Sequence, residues 1–217
     1  MPAQTDHLEG FSTLIRATGR PVRFRRHQHI ARSGEHAGAV LLIVEGWAAR
    51  YSPMPDGGRH ISHFYLPGDI CDLGWLVAPT VRQTVSALTP IKALAIDCQA
   101  LQQRMGDDPA LAHSVAVDSL HRLDSQTEWM VTLGRRSAVQ RLARLLHDLY
   151  LRIEHRGRAD RGACALPLSQ QHLADFTGLS AVHVCRTLRQ LKDLRLIDFR
   201  RRQLMIPDLA ELDARTR

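Results

Sequence analysis

The chain has 217 residues, 44% hydrophobic and 24% charged, a balance that fits one or two folded domains with a real apolar core. No apolar run approaches the roughly 20 residues that span a bilayer. Residues 1–7 lack the basic-then-apolar pattern of a secretory leader, so a cytoplasmic protein is expected. The net charge of +7 is concentrated: residues 135–217 hold 17 Lys and Arg against 9 Asp and Glu (+8), whereas residues 1–134 hold 12 against 13 (−1). A basic module joined to a near-neutral one suits nucleic-acid binding, because neutralising phosphates drives sequence-independent affinity.

Residues 20–100 read as β-rich. Val40-Leu41-Leu42-Ile43-Val44, Ile61-Ser62-His63-Phe64-Tyr65-Leu66 and Ile91-Lys92-Ala93-Leu94-Ala95-Ile96 are separated by the turn-formers Glu45-Gly46, Pro55-Asp56-Gly57-Gly58 and Pro67-Gly68-Asp69. Short, evenly punctuated strands predict a small antiparallel barrel or sandwich, with Asp56-Gly57-Gly58 as a hairpin turn. Cysteines at 71, 98, 164 and 185 form no C-x-x-C pair and read as free thiols.

From Asp108-Pro109 to about Leu133 the pattern becomes helical. Ala116, Leu120, Leu123, Thr127 and Met130 recur at spacings of four, three, four and three. That heptad-like stripe predicts a long helix that pairs with its twin in a homodimer. Gly134 ends or bends it. Ser137 caps the next helix, with Val139, Leu142, Leu145, Leu146 and Leu149 on its apolar side. Residues 155–163 read as an exposed polar loop.

Residues 169–191 carry the sharpest signal. Ser169 caps a short helix to about Phe176, Gly178 allows a sharp left-handed turn, and Ser180 caps a second helix to about Leu191. Leu173 and Leu179 are placed between the two helices, small Ala174 permits close approach, and Val184, Leu188 and Leu191 face inward. This is a helix-turn-helix, whose second helix enters the major groove of DNA. Ser180, Ala181, Val182, His183, Arg186, Arg189 and Gln190 then face outward. Arg186 suits bidentate bonding to guanine, and Val182 suits apolar contact with a thymine methyl. Ser169, Gln170 and Gln171 are placed to reach the phosphate backbone. Residues 194–206 read as two strands joined at Arg200-Arg201-Arg202-Gln203, a wing whose Arg201 lies along phosphates. No nucleophile elbow, phosphate loop or H-E-x-x-H spacing occurs, so an enzyme is not expected.

These features resemble the bacterial regulators typified by the cyclic AMP receptor protein and the fumarate–nitrate reduction regulator, the Crp/Fnr family. The resemblance rests on the hairpin segment Glu45-Gly46, on Phe64-Tyr-Leu-Pro-Gly-Asp-Ile70, on the long helix after Asp108-Pro109 and on the winged helix-turn-helix, with the Gly-Leu-Ser-x-Val-His-Val-x-Arg-Thr-Leu pattern of residues 178–188. It implies an α+β fold in three parts. Residues 1–107 would form a cyclic-nucleotide-binding-like β-barrel of jelly-roll type, 108–134 a central dimerisation helix, and 135–217 a winged helix-turn-helix. It also implies a palindromic promoter site as target and RNA polymerase as a candidate partner.

The departures bear on the effector. Cyclic AMP sensors of the family carry a Gly-Glu pair for the ribose and an Arg-Ser/Thr-Ala group for the phosphate. Here the matching regions are Gly68-Asp-Ile-Cys-Asp-Leu-Gly74 and Val81-Arg82-Gln83-Thr84-Val85, and in a strand a one-residue offset turns a side chain to the opposite face. The candidate effector pocket comprises Gly68, Asp69, Asp72, Arg82 and Gln83, with Gln126 and Thr127 from the central helix. A cyclic nucleotide is disfavoured by the degraded motif. An iron–sulfur cluster is disfavoured because no cysteine precedes Cys71. Haem stays a candidate through His27/His29, His60/His63 or His113/His121. The alternative is a constitutive DNA-binding regulator whose barrel binds no ligand. At the readout helix only Arg186 keeps the receptor's role, so a different DNA sequence is expected.

Overall fold

The computed structural model describes residues 8–216; the leader reading of residues 1–7 lies outside them. The chain divides into two compact units, one of Met1–Pro53 with Ile61–Ser125 and one of Met54–His60 with Gln126–Arg217.

The first unit opens with α1 (Glu9–Thr18), which sequence reading missed although Phe11 and Ile15 form its fully buried stripe. The strands follow: β1 (Arg20–Phe24), β2 (His29–Ala31), β3 (Ala39–Glu45), β4 (Ala48–Pro53), β5 (Arg59–Tyr65), β6 (Ile70–Cys71), β7 (Thr84–Ala87) and β8 (Ile91–Asp97). They make two four-stranded sheets, in the orders β1-β8-β3-β6 and β2-β7-β4-β5. Val40 and Leu42 from one sheet and Ala48, Val85 and Ala87 from the other join a single core with Phe11 and Leu101. The architecture is therefore a jelly-roll-like sandwich rather than a closed barrel. Glu45-Gly46 is not a hairpin turn, because β3 and β4 lie in different sheets. Gly46 sits at φ 90, where a Cβ would come within 2.2 Å of the Pro90 carbonyl oxygen, so glycine is required at this crossing. Asp56-Gly57-Gly58 does connect neighbouring strands, β4 and β5.

After β8 the chain forms α2 (Cys98–Asp107), capped by the Asp97 carboxylate on the Ala100 N–H at 3.0 Å. Next comes the long helix α3 (Pro109–Arg135), with proline at its first position as expected. Its predicted stripe is turned to solvent: Leu120 is 63% exposed, Leu123 58% and Met130 66%, and Ala116 and Thr127 are exposed as well.

In the second unit, α4 (Ala138–Glu154) begins at a full capping box between Ser137 and Gln140. Leu142, Leu145, Leu146 and Leu149 are buried as predicted, and Val139 is half-buried. Residues 155–163 are not simply a loop. They include β9 (Ala159–Asp160) and lead into β10 (Ala163–Ala165). α5 (Gln170–Thr177), α6 (Ala181–Asp193), β11 (Asp198–Arg200), β12 (Gln203–Met205) and α7 (Leu209–Ala214) complete the chain, and the strands form a sheet in the order β11-β12-β10-β9.

Candidate functional site

The helix pair α5–α6 is built from local signals. Ser169 accepts a hydrogen bond from the His172 N–H, while His172 Nδ1 accepts from the Ser169 N–H, and this reciprocal cap starts α5. Gly178 ends it in the left-handed conformation, φ 68, which glycine adopts without strain. Ser180 then accepts from the His183 N–H and starts α6. Leu173, Ala174, Val184 and Leu191 are buried between and beneath the helices. Leu179 is only half-buried. Phe176 and Thr177 of α5 are buried as well, with the Thr177 hydroxyl donating to the Leu173 carbonyl.

The outer surface of α6 presents Val182, His183, Arg186, Arg189 and Gln190 to solvent, Ala181 is half-exposed, and the thiol of Cys185 is exposed. Arg186 and Arg189 make no ion pair or hydrogen bond to other described side chains. The wing turn is a tight one: Arg200 pairs with Gln203 across the strands, leaving Arg201 and Arg202 as its two central residues. Both occupy the left-handed region, φ 50 and φ 63, a conformation that costs an L side chain about 1–2 kcal/mol per residue. Arg200 is held by Asp198 at 2.9 Å, and the Arg202 carbonyl accepts from the Leu166 N–H. The Arg201 side chain is exposed and makes no ion pair or hydrogen bond to another described side chain. Of the three expected backbone contacts on α5, Gln170 is exposed. Ser169 is committed to its cap, and Gln171 donates to Asp175 at 2.6 Å. The other oxygen of Asp175 takes Arg59, from the short segment grouped with this unit, at 2.7 Å.

The C-terminal end of α3 is fastened within the same unit. Trp129 packs edge-to-face on Phe176 with ring centroids 4.8 Å apart. The Arg144 guanidinium lies 5.6 Å from the Trp129 ring centre and pairs with Glu128.

The predicted effector residues are only partly assembled. Gly68 and Asp69 form the turn before β6, where the Asp69 carboxylate accepts from the Leu66 N–H. The Asp72 carboxylate accepts from Arg50 of β4 at 3.1 Å, and Arg50 Nε reaches the Ser62 hydroxyl. That hydroxyl donates to Gln83, whose amide donates to Ser52 at 2.9 Å. Arg82 instead faces solvent. Gln126 and Thr127 are exposed on α3 and group with the second unit. Arg50, Ser52, Ser62 and Arg122 escaped sequence reading, because their partners lie at long separation or, for Arg122 with Asp118, looked like an ordinary helix-surface pair. Among the described residues no group of three or more His, Cys, Asp or Glu is arranged to hold a metal ion.

Family models match both parts of the chain: a cyclic nucleotide-binding domain over residues 21–108 and a Crp-like helix-turn-helix domain over residues 140–215. The chain is 31% identical to the nitrogen fixation regulation protein FixK of Azorhizobium caulinodans over 180 residues, covering 83% of this chain and 72% of FixK. The chain belongs to the Crp/Fnr family of bacterial transcription regulators. A probable transcriptional activator of Rhizobium leguminosarum is 30% identical over 188 residues, covering 85% of this chain and 76% of its own. The structure of FixK2 from Bradyrhizobium japonicum superposes with a TM-score of 0.80 at 27% identity, over 91% of this chain and 96% of that one.

Membership of the Crp/Fnr family raises the question of a cyclic nucleotide, and the residues here do not fit one. The arginine expected for the cyclic phosphate, Arg82, is directed to solvent, and the acid expected near the ribose, Asp72, is already bound to Arg50.

Proposed function

We propose that two copies of this regulator, paired along the Leu120–Leu123–Met130 stripe of α3, bind a palindromic promoter site. Each copy inserts the N-terminal half of α6 into the major groove, where Arg186 reads a guanine bidentately and Val182 and His183 set the neighbouring preference. Arg201 in the wing and Gln170 at the start of α5 hold the phosphate backbone. The observation that carries this reading is the set of exposed, uncommitted arginines on α6 and the wing, all on one basic module of balance +8. Two-fold symmetry requires half-sites about 34 Å apart, one turn of B-DNA. Such a protein works in the cytoplasm, where the chromosome lies. No helix among the described residues is long and apolar enough to cross a membrane.

The relative described as a probable transcriptional activator supports activation, with RNA polymerase as the candidate partner through which binding would be read out. Transcription in vitro from a selected site, with and without the protein, tests that step: a rise supports it and a fall makes the protein a repressor. A second reading, DNA binding without an effector, is favoured by the internal pairing of Asp72 with Arg50. Calorimetry against cyclic AMP and cyclic GMP separates the two, since the second reading expects no heat and no change in DNA affinity.

A further inference from the structure

The sandwich unit holds a buried polar cluster around Asp72 and Gln83, two of the residues expected to face an effector. Arg50 has a side chain 13% exposed, and its carboxylate partner is Asp72. Asp72 stands at φ 45, a left-handed backbone that favours glycine and that aspartate adopts only under constraint. Beside them is Tyr65, fully buried, whose hydroxyl has no hydrogen-bond partner among the described residues. Burial and the neighbouring Cys71 push its phenol well above the ordinary tyrosine range, while Arg50 and Arg122 pull the other way. The phenol therefore lies in the field of two guanidiniums. Arg122 belongs to α3 and is balanced by Asp118 on the same helix, with Asp69 contributing from the turn before β6.

A guanidinium this deep must be neutralised, because a buried charge without a counter-ion is strongly unfavourable. In a ligand-gated sensor the effector supplies that anion. Here the chain supplies it, at the expense of a strained backbone.

We propose that the Asp72 carboxylate is a resident anion: it occupies the place of an effector's acid group on Arg50 and so keeps the regulator competent for DNA without a ligand. Removing it leaves Arg50 without its counter-ion in the field of the like-charged Arg122, and that repulsion acts on α3, the helix whose exposed stripe joins the dimer. The vacated site takes a small carboxylate. This inference rests on the dimeric DNA-binding reading above.

The test is chemical rescue. Wild type, Asp72→Gly and Asp72→Asn are titrated onto DNA selected from random sequence by the wild type, with sodium formate or chloride at equal ionic strength. Asp72→Gly suits the left-handed backbone, so it removes the carboxylate while relieving strain. The expected result is at least a tenfold loss of specific affinity in both variants, and recovery of most of it in Asp72→Gly by formate but not by chloride. Wild type should ignore formate. Asp72→Gly with Arg50→Met removes cation and anion together, and is expected to bind DNA like wild type with no response to formate. Variants that bind as tightly as wild type overturn the proposal. So does a folded Asp72→Gly that formate does not rescue. If the single variants fail to fold, a double variant that is folded yet inactive overturns it as well. Failure of the wild type to select any DNA would instead sink the regulator reading itself.

Discussion

Replacing Arg201-Arg202 by Asn-Gly in the wing separates what these residues contribute to folding from what they contribute to binding. Both backbones are left-handed, at φ 50 and φ 63, in a two-residue turn between β11 and β12. Asn-Gly is the pair such turns favour. At about 1–2 kcal/mol per left-handed L residue the turn stores about 2–4 kcal/mol. Asparagine recovers part of its share. Glycine recovers all of its own but gives back about 0.5–1 kcal/mol through a more flexible unfolded chain. The net expectation is a gain of about 1–2 kcal/mol, which for a chain of this size raises the melting temperature by about 3–6 °C. The bond from the Leu166 N–H to the carbonyl at position 202 is kept, because it uses backbone only. Binding should move the other way. If both arginines reach phosphates, the slope of log K against log salt falls by about 1.8 per copy, at about 0.9 per contact. Thermal melts and anisotropy titrations at several salt concentrations read the two effects. A variant that is less stable, or one with an unchanged salt slope, would refute the claim that the strain is retained for DNA contact.

Three further expectations follow the same logic. Arg186→Ala should weaken specific binding by about 1–3 kcal/mol and relax preference at one base position, with little effect on random DNA; equal losses on both would remove Arg186 as a base reader. Leu120→Glu with Leu123→Glu places like charges on the exposed stripe of α3, so sedimentation should show monomers and specific affinity should fall at least tenfold; a persistent dimer would place the interface elsewhere. Trp129→Ala removes both the contact with Phe176 and the cation–π contact with Arg144, a loss of about 1–3 kcal/mol in urea unfolding; a change below about 0.5 kcal/mol would show that this fastening of α3 is idle.

The parts of the molecule legible in the sequence are those encoded locally. Ser137, Ser169 and Ser180 mark three helix starts, and each caps the helix it announces. Gly178 marks the turn between α5 and α6, and the spacing of Leu120, Leu123 and Met130 marks the face of α3 that emerges exposed. What escaped depends on distant partners or short elements. β9 has two residues and exists because it pairs with β10, so residues 155–163 carry no strand periodicity of their own. Glu45-Gly46 has the chemistry of a hairpin turn, yet β3 pairs with β8, half the unit away in sequence, and the turn becomes a crossing between sheets. The effector region is only partly legible for the same reason. Asp72 and Gln83 were found from a motif, but their partners Arg50, Ser62 and Ser52 come from β4 and β5, and no local pattern announces them.

The most direct test of the whole account is selection of bound sequences from random DNA by the purified protein without added ligand, followed by footprinting and determination of stoichiometry. The account predicts one enriched palindrome, with half-sites about 34 Å apart and two chains per site. Enrichment of no sequence, or a single half-site bound by one chain, would contradict it.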